Sequence, residues 1–185
     1  MSESIIYRNT LLYESVMVLL YGRHYAARYR TLAELIEPGS SVLDVCCGPA
    51  VLYQRYLRKR GVSYTGLDYN RTFVDRLTRQ GVAASFWDLR EDRPLPTSDY
   101  VVMQASLYHF LPDPAPIVDR LLAAARKSVI VAEPVRNLTS STNPVVAFLG
   151  RRLSNPGTGD QAQRFVERTF DEFFARYAPR VQSSL

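Results

Sequence analysis

Cysteine is nearly missing from this 185-residue chain: Cys46 and Cys47 are the two present, and they are adjacent. Neighbouring thiols cannot easily bridge each other, so no disulfide framework is expected, and a reducing compartment, the cytoplasm, is indicated. Histidine is equally scarce, with His24 and His109 alone, and neither completes a zinc set with the cysteines. No apolar run approaches the ~18 residues of a membrane span. The opening Met1-Ser2-Glu3-Ser4 lacks the charged start and apolar core of a signal peptide, so no integral membrane association is expected. Long basic runs are absent too. The 23 Lys and Arg exceed the 18 Asp and Glu, for a net charge of +5, but they lie in short clusters such as Arg58-Lys59-Arg60, Arg126-Lys127 and Arg151-Arg152. No aromatic residues interleave with them as a stacking surface for bases requires, which argues against nucleic acid as a partner. The excess remains compatible with anionic substrates or surfaces.

Two nucleotide signatures are also wanting. There is no Gly-x-Gly-x-x-Gly to bring backbone against a pyrophosphate, which disfavours a nicotinamide-dependent oxidoreductase, and no Gly-Lys-Ser or Gly-Lys-Thr of a P-loop.

What is present is an alternation of helical and strand patterns. With 46% hydrophobic residues the chain is long enough for one sizeable core. Leu12, Val16, Leu19 and Leu20, then Tyr25, Tyr29, Leu32 and Ile36, recur at helical spacing ahead of Pro38-Gly39. Apolar strands are then expected at 41–45, 63–67, 82–86, 100–104 and 128–132, separated by helices. Asn70 is placed to cap a helix carrying Phe73 and Leu77, and Ile117, Leu121, Leu122 and Ala125 form a stripe before the fifth strand. Thr169 and Glu172 have the spacing of a capping box, with Phe170, Phe173, Phe174 and Tyr177 on the buried face. This punctuation predicts an α/β protein built on a parallel sheet with helices on both faces. Residues 135–160 break the pattern around the apolar island 145–149, and read either as a binding loop or as a surface excursion.

In such a sheet ligands bind at the carboxyl ends of the strands. Three acids stand there: Asp44 at the first, Asp68 after the second and Asp88 after the third. Asp68 lies twenty residues beyond Gly48, the interval at which an acid meets a ribose diol; a carboxylate there accepts both hydroxyls and repels a ribose phosphate. The turn Cys46-Cys47-Gly48-Pro49-Ala50, led by Asp44 and without an adjacent basic residue, suits a ligand bearing an ammonium or sulfonium rather than phosphates.

These residues resemble the class I S-adenosylmethionine-dependent methyltransferases. The segment 44–50 is similar to the family's first motif, acid-x-Gly-x-Gly-x-Gly, and its Cys-Cys-Gly form looks like that of the quinone-biosynthesis, small-molecule branch. The likeness runs through Gly66-Leu67-Asp68-Tyr69-Asn70 and Phe86-Trp87-Asp88-Leu89, and spans residues 42–133. It implies S-adenosyl-L-methionine as cofactor, with Asp44 and the backbone of Cys46 and Gly48 holding the methionine part and Asp68 the ribose. Tyr69 would lie against the adenine, Asp88 would meet its amine, Leu89 would pack nearby, and Gln104 would sit beside the sulfonium. It further implies a Rossmann-like, doubly wound, mostly parallel sheet of five to six strands. Family members end in an antiparallel hairpin; here residues 180–185 supply one short strand at most, so that hairpin is incomplete. An open edge invites pairing with a second copy, and a homodimer or a shortened chain is expected.

Cys46 and Ala50 stand where the family has glycine, and the expectation is that the turn needs no positive φ there, the small side chains merely filling space. His109, in Ser106-Leu107-Tyr108-His109-Phe110, follows the fourth strand and is the candidate general base; in the resembled family a histidine near this point also supports the cofactor pocket. His24 reads as a partly exposed helix residue, and Tyr7, Tyr13, Tyr21, Tyr25 and Tyr29 as core packing, with Tyr21 or Tyr25 alternatively contacting a ligand. Residues 1–37 are read as a helical cap and 38–185 as the methyltransferase-like domain. The expected activity is methyl transfer to a small-molecule acceptor, with Phe148 and Leu149 tilting toward an aromatic or lipophilic one. The alternative is a non-catalytic cofactor-binding scaffold that self-associates through the open edge.

Overall fold

A computed structural model describes residues 23–135 and 164–181. Five strands, β1 (Ser41–Val45), β2 (Ser63–Asp68), β3 (Ala84–Phe86), β4 (Ser98–Gln104) and β5 (Ala125–Ala132), form one sheet of order β3-β2-β1-β4-β5. Every pairing is parallel. Chain order reverses beside β1, so a crevice opens at the carboxyl ends of β1 and β4.

Apolar layers cover both faces of the sheet. Side chains alternate along a strand, so Val42, Tyr100 and Val102 join one cluster while Leu43, Val45, Val101 and Met103 join the other. The first cluster is closed by Tyr29, Leu32 and Ile36 in and after α1 (Arg23–Glu34), by Leu52 and Leu57 of the helical segment after β1, and by Leu77 of α2 (Arg71–Arg79). The second is closed by Ile117, Val118 and Leu121 of α3 (Ala115–Ala124), and by Phe165 with Phe170, Phe173 and Phe174 of α4 (Glu167–Phe174). Strands buried on both faces read as apolar runs, which is why β1 and β4 are visible in the sequence.

Local chemistry sets the element ends. Asn70 Oδ1 accepts from the Thr72 and Phe73 amides and starts α2 as expected. Several boundaries differ from expectation: β2 runs one residue further, to Asp68, and β4 begins two residues earlier, at Ser98. Val82 lies in the turn that closes α2, its amide donating to Leu77 O at 2.9 Å, and β3 keeps only three residues. Ala125 is the first residue of β5 rather than the last of a helical stripe, because α3 passes into the strand without a linker. Thr169 does not open α4 but is its third residue: Val166 is the cap, and the Thr169 hydroxyl accepts from the Val166 amide at 3.0 Å. Glu172 instead pairs with Arg168 one turn back.

Among the described residues there is no antiparallel strand, and no helix is long and apolar enough to cross a membrane. The residues from Tyr7 to Tyr21, the island 145–149 and the terminal residues 182–185 lie outside the described residues, as do the side chains of His24 and Tyr25.

Candidate cofactor site

β1 delivers Asp44 onto the apolar face shared by Val42, Tyr64 and Tyr100. Its side chain is 1% exposed. Burial pushes its carboxyl up to about 7, a rise opposed by the Tyr64 hydrogen bond and reinforced by the Asp68 charge. The Tyr64 hydroxyl donates to Asp44 Oδ2 at 2.9 Å, and its ring stacks on Tyr53 with centroids 4.3 Å apart. Sequence reasoning overlooked Tyr64; the signal was an aromatic residue at a register position of β2 facing the same layer as Asp44.

The turn after β1 crosses to β2. The Cys47 amide donates to Leu67 O at 3.0 Å, and the Ala50 amide to Cys47 O at 2.9 Å. Three residues in the turn have positive φ: Cys46 at 58°, Gly48 at 52° and Ala50 at 52°. The expectation of ordinary φ at Cys46 and Ala50 is therefore corrected. The turn keeps the left-handed geometry that glycine favours and holds two β-carbon-bearing residues in it, at a cost of order 1–2 kcal/mol each. A side chain on Gly48 would enter open space. Gly66, beneath the turn, has the opposite surroundings: a β-carbon there would lie 2.8 Å from Cys47 Sγ and 3.1 Å from the Tyr64 oxygen. Burial pushes both thiols up, so neither is a ready nucleophile.

Asp68 is drawn to the same turn. Its Oδ2 accepts from the Gly48 amide at 2.7 Å and its Oδ1 from the Asn70 amide at 2.7 Å. Burial raises its carboxyl in spite of those two amides. Each oxygen keeps a second lone pair, so hydroxyl donors are accommodated without breaking either bond. Asp88 is held differently: Arg90 grips it through two 2.8 Å bonds and lowers its pKa, so a ligand amine meets a carboxylate already shared with a guanidinium. Arg90 also lies over the Tyr69 ring, 4.7 Å from its centroid, and that ring packs on Phe86. Tyr69 is 49% exposed, a flat face open to a ligand. Leu89 by contrast is buried in the second apolar cluster.

Across the crevice, the side-chain oxygen of Gln104 at the end of β4 is buried without a hydrogen-bond partner among the described residues. A donor from a ligand or a water satisfies such an acceptor. His109 sits in the single-turn helix Leu107–Phe110, its ring 4.0 Å from that of Tyr108. Glu133, directly after β5, was named only as the end of the sequence likeness. It accepts from the Ser106 and Leu107 amides at 2.7 Å each, and burial brings its carboxyl to about 7 against the pull of Arg164 and Arg28. Asp44, which is buried, and Asp68 and Glu133, which are half-buried, thus form an acidic lining at the ends of β1, β2 and β5, and the charges of all three raise the Cys46 thiol between them.

The chain aligns over 79% of its length with a methyltransferase from Aquifex aeolicus described as S-adenosylmethionine-dependent, covering 76% of that chain with a TM-score of 0.53 and 16% identity. It also aligns over 82% of its length with Escherichia coli YjhP, covering 63% of that chain with a TM-score of 0.55 and 16% identity. At these identities the likeness is one of fold, and the fold is that of the class I S-adenosylmethionine-dependent methyltransferases. More narrowly, the chain belongs to the family of the methionine biosynthesis protein MetW, whose model matches residues 26–137. Trans-aconitate 2-methyltransferase of Mycobacterium tuberculosis is 32% identical over 120 residues, which are 63% of this chain and 45% of that protein. The chain therefore spans just under half the length of the curated relatives it matches.

Proposed function

We propose that the protein transfers a methyl group from S-adenosyl-L-methionine to a small-molecule acceptor at the crevice between β1 and β4. The observation that carries this reading is the acidic lining of Asp44, Asp68 and Glu133, together with the Gln104 side-chain oxygen, which has no partner among the described residues. Carboxyls raised by burial gain most from a cationic guest. When bound, the cofactor supplies a sulfonium-activated methyl and an ammonium. Asp44 and the backbone of Cys46 and Gly48 hold the methionine part, Asp68 the ribose hydroxyls, and Tyr69 and Asp88 the adenine, with Leu89 as the apolar floor. Gln104 accepts from the amino-acid end. Where the accepting atom carries a proton, His109 takes it as the methyl arrives; a carboxylate oxygen accepts the methyl without releasing a proton and needs no base.

The acceptor reading rests on charge. Arg28 and Arg164 both act on Glu133, and Arg164 lies over the Tyr108 ring at 3.6 Å, so guanidinium groups gather on the β4–β5 side. A carboxylate-bearing acceptor fits them, as does the relative named for trans-aconitate. In the same reading residues 1–37 are an N-terminal cap to the methyltransferase-like domain 38–185, and the free thiols suit work in the cytoplasm.

Calorimetry with S-adenosylmethionine and S-adenosylhomocysteine tests the proposal, and binding to neither at millimolar concentration ends it. Strain at Cys46 and Ala50 favours a second reading, a scaffold that binds the cofactor without turnover. Binding without methylation of any carboxylic acceptor selects that reading. Self-association through the outer edge of β5, which pairs with no strand other than β4 among the described residues, is a further proposal; a monomer by light scattering refutes it.

A further inference from the structure

The turn after β4 has no cap of its own. Ser106 precedes the helix Leu107–Phe110, yet its hydroxyl is turned back onto Gln104 O at 2.9 Å and caps nothing. The amides of Ser106 and Leu107 are satisfied from another strand, by the one oxygen Oε1 of Glu133. The preceding residue, Ala105, has φ of 48° and donates its amide to Ala132 O at 2.8 Å. β4 and β5 are thereby stitched together beyond the last rung of their ladder, Gln104 with Ala132. The turn so held carries Leu107, which is fully buried, then Tyr108 and His109.

A cap supplied by Ser106 itself would order the turn without fixing its place relative to β5. A cap supplied by Glu133 does both. A non-glycine residue in the left-handed region persists where its surroundings over-determine it, and the three bonds from Ala132 and Glu133 to residues 105–107 provide that constraint.

We infer that Glu133 is a positioning residue: by accepting the Ser106 and Leu107 amides on one oxygen, it sets the turn that places His109 at the acceptor side of the crevice. Only the kinetic part of this inference rests on the methyl-transfer reading. The amide-accepting oxygen is the functional element, so Glu133→Gln, which retains a carbonyl oxygen, is the rescuing substitution, and Glu133→Ala removes it.

With two histidines in the chain, a His24→Gln background leaves His109 as the single imidazole for NMR. Glu133→Ala is expected to speed exchange of the Ser106 and Leu107 amides about tenfold or more while Glu133→Gln keeps it near the parent, and the His109 titration midpoint is expected to differ between these two variants, which carry the same charge. Should Glu133→Ala fail to fold, Glu133→Asp, one methylene shorter, reports the same exchange change in a milder form. In turnover, Glu133→Ala is expected to lower kcat about tenfold or more, and Glu133→Gln to restore most of it. An unchanged His109 titration and amide exchange in the alanine and aspartate variants overturns the inference; so does a glutamine variant that behaves like alanine. If the protein binds no S-adenosylmethionine, the functional reading falls while the NMR and exchange results still decide the role of Glu133.

Discussion

Removing one oxygen, in Tyr64→Phe, probes the electrostatics of the cofactor crevice most directly. The Tyr64 hydroxyl is the hydrogen-bond donor to Asp44 among the described residues, at 2.9 Å, and Asp44 is buried. A hydrogen bond to a neutral acid contributes about 0.5–1.5 kcal/mol and one to a charged acceptor about 1.5–3 kcal/mol. The cost of the substitution therefore depends on the protonation of Asp44. In the native protein the folded carboxyl lies at about 7, above its ordinary value of 3.8. Stability from the protonated form is complete below that ordinary value and is lost as pH rises through the folded value. Tyr64→Phe moves the folded value higher still, because the bond it removes favours the carboxylate. The expected loss is about 1 kcal/mol near pH 5 and about 2–3 kcal/mol near pH 9, measured by urea denaturation at each pH. In the proposed reading S-adenosylmethionine binds the ionised form, so its affinity is expected to rise with pH through neutrality in the parent and to do so about one pH unit later in the variant. Equal losses at both pH values, or a cofactor profile that does not move, refute the reasoning.

Other substitutions test the turn from different sides. Gly66→Ala is expected to cost about 1–3 kcal/mol by overpacking against Cys47 Sγ, and Cys47→Ala in the same chain to recover part of it; additive denaturation losses contradict the contact. Gly48→Ala meets no neighbour, so its stability loss should stay near the about 1–2 kcal/mol of a strained φ while cofactor affinity by calorimetry falls further, the new methyl standing in ligand space. Asp68→Asn turns one amide acceptor into a donor facing Gly48 or Asn70, for an expected loss of about 1–3 kcal/mol in denaturation and weaker cofactor binding; a stability equal to the parent overturns the two amide bonds.

The strand ends were legible because apolar runs flanked by Asp44, Asp68 and Gln104 mark where buried strands stop and chemistry begins. The Asn70 cap was legible for a similar reason: one side chain decides where that helix starts. What could not be read is how those side chains are already engaged. Whether Asp68 bonds to the Gly48 amide, or Asp88 to Arg90, depends on rotamers and on the close approach of separate segments. Glu133 escaped notice as a cap because its partners, Ser106 and Leu107, lie 27 and 26 residues away. The φ values of Cys46 and Ala50 were misread because tertiary constraint, here the amide of Cys47 tied to β2, overrode the local preference of those residue types.

The strand order bears on how the chain is made. β1 occupies the centre of the sheet, and one of its edges is covered only when β4 arrives, with Ser41 bonded to Asp99 across a separation of 58 residues. At roughly 5–20 residues per second, a ribosome takes roughly 3–12 s to add that length. Throughout the interval an apolar strand edge is available to other nascent chains. A charge in such a strand discourages mispairing, and Asp44 carries one while its carboxyl still has its ordinary value of 3.8. Asp44 thus guards its own strand during synthesis, and relinquishes that charge more readily once the sheet has closed around it.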